Sequence, residues 1–134
     1  MASWREYQQF LIYLDTASMF GINEIDVDTL AKWKEDGESF RLIDIRTDAE
    51  VAQGILDGAE IIPMHLIPLK ANDFQGDEKV VFYCRSGNRS GQVCAFLAQN
   101  GVGENAYNLR GGIIAWARSG YPIVGPENQK SNVA

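Results

Sequence analysis

The chain has 134 residues, 46% of them apolar and 22% charged, which suits one soluble globular domain able to bury a core of its own. A net charge of -6 argues against a face for nucleic acid or anionic lipid. Two cysteines and a single histidine are too few for a disulfide framework or a zinc site, and no stretch is apolar for long enough to span a membrane.

Residues 1–20 read as an N-terminal helical extension, because Trp4, Tyr7, Phe10, Leu11 and Leu14 recur at helical spacing and give one apolar face. The same stretch lacks the charged start, clean apolar core and cleavage site of a secretory signal. A cytoplasmic, reducing location is therefore expected, one that keeps thiols free. Ile25 suggests a short strand. Asp26 or Asp28 can cap a helix that turns Val27, Leu30 and Trp33 inward and stops at Gly37. "FRLIDI" (40–45) predicts a strand ending near Asp44, and "TDAEVAQG" a short helix closed by Gly54. "AEIIP" (59–63) predicts a brief strand, after which Pro63 and Pro68 interrupt the pattern.

"KVVFY" (79–83) is apolar on both faces, as a central parallel strand is. Residues 89–101 predict a helix with Val93, Phe96 and Leu97 inward and Gly101 as its stop. "NAYNL" (105–109) predicts the last strand and "GGIIAWARSG" (111–120) the last helix. Strands alternating with helices predict an α/β domain over residues 21–124, with a central, mostly parallel sheet of about five strands covered by helices on both faces. Residues 125–134 are polar and read as a disordered tail.

The chemistry concentrates in "VVFYCRSGNRSGQVCAF" (80–96), where a cysteine ends the most apolar strand and meets two arginines, two serines, a glycine and an asparagine. Ligands of parallel α/β sheets bind beyond the carboxyl ends of the strands, and Cys84 stands there. The following loop enters a helix N-terminus near Arg89 and Ser90, where unpaired N–H groups and the positive end of the helix dipole collect. Ser86, Gly87 and Asn88 suit a curl that aims backbone amides inward as an anion-binding nest. A thiol of ordinary pKa, about 8.5, falls to roughly 3.5–7.5 in such surroundings. Cys84 is therefore the expected nucleophile, with Arg85, Ser86, Gly87, Asn88 and Arg89 as the substrate cradle. Cys94, among Val93, Ala95 and Phe96 on the helix, reads as core packing.

Two chemistries need such a nest: phosphate-ester hydrolysis by a cysteine phosphatase, and sulfur transfer through a persulfide. Cysteine phosphatases space their cysteine and arginine one residue further apart than Cys84 and Arg89, which have four residues between them. The tighter loop suits a single extra sulfur atom. No histidine precedes Cys84; Tyr83 does.

With "CRSGNRS" as its centre, the sequence resembles the rhodanese family, single-domain type. "LIDIRTDAE", "GILDGAEIIP" and "YNLRGGIIAWARSGYPI" resemble further family segments in the same order, over about residues 24–124. The resemblance implies the rhodanese-like fold and a thiosulfate sulfurtransferase with ping-pong chemistry. Cys84 then accepts sulfur from thiosulfate or a related persulfide donor and passes it to cyanide or a thiol. It implies no cofactor and no metal. A protein is a second candidate acceptor, in which case the domain is a persulfide carrier or sensor rather than a turnover enzyme. Asp44, at the end of a neighbouring strand, is expected to support the loop by orienting an arginine, and Ser90 to support it from the helix start. Arg46 and Glu50 read as members of structural ion pairs. Arg110, Gly111 and Gly112 read as shaping the turn into the last helix, and His65 reads as a plain exposed loop histidine in preference to one placed near the pocket. The turn within "GILDGAEIIP" carries Ile55 and Asp57 where the family has a histidine and a proline.

Overall fold

The computed structural model describes residues 22–130; the helix expected over residues 1–20 lies outside them. Five parallel strands form one sheet in the order β1-β5-β4-β2-β3. They are β1 (Asn23–Ile25), β2 (Phe40–Asp44), β3 (Glu60–Ile61), β4 (Lys79–Tyr83) and β5 (Ala106–Leu109). Among the described residues, three α-helices lie between strands, α1 (Val27–Glu35), α2 (Asp48–Val51) and α3 (Asn88–Gln99), and a fourth, α4 (Gly112–Arg118), follows β5. The fold is the α/β sheet expected from the alternation of elements, with β4 at its centre.

Local chemistry explains the boundaries. Asp26 caps α1 by accepting from the Thr29 N–H at 2.8 Å, and Gly37 follows the helix at φ +69°, a conformation that favours glycine. Thr47 and Glu50 form a reciprocal capping box at α2, which satisfies two orphan amides of a very short helix. Side chains alternate across β4. Val80, Phe82 and then Cys84 pack on the face covered by α3, with Ile43, Val93, Cys94 and Leu97. Val81 and Tyr83 face the opposite layer, with Leu30, Val51, Ile55, Leu109 and Trp116. This is the doubly covered sheet that an all-apolar strand requires.

The structure departs from expectation in several places. The strand read over 59–63 shortens to two residues. Residues 64–74, read only as an interrupted stretch, form a long 3-10 segment that buries Ile67 and Phe74. Phe96, expected inward, is 36% exposed, because the inner face of α3 is filled by Val93, Cys94, Ala95 and Leu97. Residues 125–130, read as part of a disordered tail, carry a 3-10 turn at Pro126–Asn128. That turn is pinned by Gly58 N–H donating to Asn128 O and Lys130 N–H donating to Ala59 O. A polar composition hides such backbone pairing. No helix among the described residues is long and apolar enough to cross a membrane.

Candidate active site

Strand β4 delivers Cys84 to the carboxyl edge of the sheet, 1% exposed. The chain then reverses into α3 through Gly87, which has φ +97°. A Cβ at Gly87 would meet Gly111 N at 3.2 Å and Leu109 O at 3.3 Å, so both conformation and space call for glycine. The reversal aims the Gly87 N–H at Cys84 Sγ (3.2 Å) and the Ser90 N–H at the same atom (3.5 Å). Ser90 Oγ lies 3.4 Å from the sulfur. The thiol thus sits against the N-terminus of a twelve-residue helix, where orphan amides and the helix dipole favour negative charge. The amides of Arg85, Ser86, Asn88 and Arg89 have no protein acceptor among the described residues.

The loop is held from behind by α4. Ile113 N–H donates to Cys84 O at 3.0 Å and Ile114 N–H to Arg85 O at 3.1 Å. Gly112, at φ +59°, permits this approach; a Cβ there would lie 2.5 Å from both carbonyl oxygens. The first turn of α4 therefore engages the carbonyls of the loop and leaves its amides to the sulfur side.

The two loop arginines have different fates. Arg89 forms a two-pronged pair with Glu50, both contacts 2.7 Å, the geometry in which guanidinium binds carboxylate best. The Arg89 hydrogen bonds, aided by Thr47, hold the Glu50 carboxyl down at about 2. Arg85 is exposed and has no ion pair among the described residues, so it is the guanidinium open to an arriving anion. Ser86 and Asn88 are also exposed.

Asp44 does not reach either loop arginine. Its buried carboxylate accepts from Arg46 N–H at 2.9 Å and from the Arg46 guanidinium at 2.8–3.1 Å, and Arg46 donates onward to Gly54 O at 2.6 Å. Burial opposes the Arg46 charge, but these bonds to Asp44 outweigh it and raise its pKa. This knot fixes the β2–α2 corner from which Glu50 reaches Arg89, so the contribution of Asp44 to the loop is indirect. The expected ion pairs of Arg46 and Glu50 are both present.

Ser90, fully buried, donates to Asn108 Oδ1 at 2.6 Å. Asn108 Nδ2 donates to Glu24 Oε2 at 3.0 Å and to Gly87 O at 3.2 Å. Sequence reasoning missed Asn108 and Glu24. Asn108 shares the parity of buried Ala106 on β5, and a polar side chain on the inward face of a strand was the available signal. Arg110 is largely exposed and lies 3.6 Å from Glu24. Ile45, Met64, His65, Pro63 and Arg89 border a cavity of about 550 Å³ beside the loop. His65 is thus both exposed and at the pocket wall. Among the described residues, no group of three or more potential metal ligands comes together.

A reactive-type cysteine beyond the central strand of this sheet has a counterpart among known proteins. Residues 26–119 match the family described as Rhodanese-like domain. The chain belongs to that family. It is 55% identical over 106 residues to a protein of Allochromatium vinosum named sulfurtransferase, covering 79% of this chain and 98% of the relative. It is 41% identical to the putative sulfurtransferase YtwF of Bacillus subtilis, covering 71% of this chain and 90% of that one. Among solved structures, a rhodanese-like domain protein from Staphylococcus aureus superposes with a TM-score of 0.65 at 35% identity, covering 71% of this chain and 91% of the other.

Proposed function

We propose that this rhodanese-like domain is a sulfurtransferase that carries sulfane sulfur as a persulfide on Cys84. The observation that carries the reading is the pair of backbone amides, Gly87 and Ser90, aimed at Cys84 Sγ from the start of α3. Fixed N–H donors stabilise charge on sulfur without reorganising during the reaction. In the first step the Cys84 thiolate attacks the outer sulfur of an anionic donor such as thiosulfate. A new S–S bond forms, the donor's S–S bond breaks, and sulfite leaves with that electron pair. In the second step a thiolate or cyanide attacks the outer sulfur of the persulfide, which passes to it, and the Cys84 thiolate is restored.

The open amides of residues 85, 86, 88 and 89 suit the outer sulfur, and the exposed Arg85 suits the donor's negative charge. The cavity walled by Ile45, Pro63, Met64, His65 and Arg89 has room for the body of a small thiol, which favours a small-molecule acceptor over a protein. The short Cys84-to-Arg89 loop also supports transfer of one sulfur atom over phosphoryl chemistry. The test is conversion of thiosulfate and cyanide to thiocyanate by the wild type and Cys84→Ser in parallel. Turnover that disappears in the variant supports the proposal; absence of turnover in both removes thiosulfate:cyanide activity from it.

A further inference from the structure

The Cys84 sulfur is the end of a polar chain that runs across the sheet. Asn108 pairs in register with Phe82 on one side and Glu24 on the other, so all three side chains share a row beneath α3. Gly87 and Gly91 leave room for the amide; a Cβ at Gly91 would lie 3.4 Å from Asn108 Nδ2. The orientation of that amide is decided by its neighbours. Glu24 Oε2 and Gly87 O are acceptors only, so they require the NH₂ group and leave Asn108 Oδ1 facing Ser90. Oδ1 cannot donate. The one hydroxyl hydrogen of Ser90 therefore points to Asn108 across 2.6 Å, and what Ser90 Oγ turns toward the sulfur at 3.4 Å is a lone pair.

We propose that Asn108 is a positioning residue that makes Ser90 an acceptor for the Cys84 thiol rather than a donor to its thiolate. The two amide donors remain, and a third, from the hydroxyl, is withheld. The inference rests on Cys84 being the nucleophile. Its consequence is that charge on Cys84 Sγ is stabilised less than the number of nearby hydrogen-bonding groups suggests. A persulfide carries its charge on the outer sulfur and has no need of that donor, so the arrangement favours passing the charge outward. The other charged and titratable groups around the sulfur are Arg85 and Arg89 on its loop, Glu50 on Arg89, Glu24 on Asn108, and Cys94 from α3. Asp44 and Arg46, behind them, are paired with each other.

The experiment is the pH profile of Cys84 alkylation by iodoacetamide in the wild type, Asn108→Ala, Ser90→Ala and the double variant. It requires no sulfur transfer, so its outcome is independent of thiocyanate production. Asn108→Ala frees the hydroxyl to turn to the thiolate and is expected to lower the midpoint by about one pH unit, the scale of one hydrogen bond to a charged group. The same substitution in the Ser90→Ala background is expected to leave the midpoint in place. An unchanged or raised midpoint in Asn108→Ala, or an equal shift in both backgrounds, overturns the proposal. Should Asn108→Ala not fold, the infrared S–H band decides, measured in a Cys94→Ala background that leaves one thiol. A band displaced as for a donating thiol, and returned toward the free position by Ser90→Ala, supports the proposal; a band indifferent to Ser90 overturns it.

Discussion

Cys84 and Cys94 lie ten positions apart, pack in the same apolar cluster and are 1% and 2% exposed. Their surroundings differ in kind. Cys94 sits mid-helix, its sulfur without a hydrogen-bond partner among the described residues, and burial pushes its thiol up. Cys84 meets the open end of the same helix, where two N–H groups converge on its sulfur. Equal burial thus accompanies different surroundings: the Cys94 thiol is enclosed by the helix and the core, and the Cys84 sulfur faces two directed backbone donors. One helix makes the difference: the N–H groups of its first turn point at Cys84, and its second turn encloses Cys94.

The contrast breaks most completely at the sulfur. Cys84→Ser is expected to abolish thiocyanate formation, whereas Cys94→Ala retains it and costs about 1 kcal/mol of stability in denaturant titration. Gly112→Ala attacks the support of the reactive site. It places a Cβ at 2.5 Å from the Cys84 and Arg85 carbonyls and is expected to destabilise by about 3 kcal/mol and to strip turnover. Gly37→Ala is the control, since Gly37 also has positive φ but nothing within 4 Å of its Cβ position. It should cost about 1 kcal/mol and leave turnover intact; equal losses in the two variants would deny the clamp.

Arg85→Ala should raise the KM for thiosulfate about tenfold, with thermal stability unchanged, as expected for loss of one charged contact made only with the donor. The smallest effect concerns Glu50, whose folded carboxyl is held at about 2, below its unfolded value. Its pair with Arg89 therefore stabilises fully above the unfolded carboxylate range and loses that contribution as pH falls toward about 2. The pair is partly exposed, so the contribution is about 1 kcal/mol or less. Denaturant midpoints of wild type and Glu50→Gln should differ at pH 7 and converge on acidification; a gap independent of pH would contradict this.

The architecture was legible because the strands are apolar and their punctuation is strong. Val80 to Tyr83 are apolar on both faces, as a central strand is, and Asp26, Gly37 and Gly101 mark helix ends by their own chemistry. Cys84 was legible because a thiol, glycine and two arginines converge in six consecutive positions. The partners of the loop were not. Which arginine Glu50 would take depends on the β2–α2 corner closing over α3, and Asp44 was spent on Arg46 two residues away rather than on the loop. Asn108 comes from a strand 24 positions beyond Cys84, brought alongside only by the β4–β5 register. The 3-10 segment at 64–74 escaped because its prolines interrupt the helical period without preventing compact turns.

The most direct measurement is the mass of each cysteine-bearing peptide after the intact protein is incubated with thiosulfate and then cleaved without reductant. One added sulfur atom on the Cys84 peptide and none on the Cys94 peptide is the predicted result. An unmodified Cys84 peptide, or sulfur found on Cys94, would contradict the assignment of reactivity to the two amides at the start of α3.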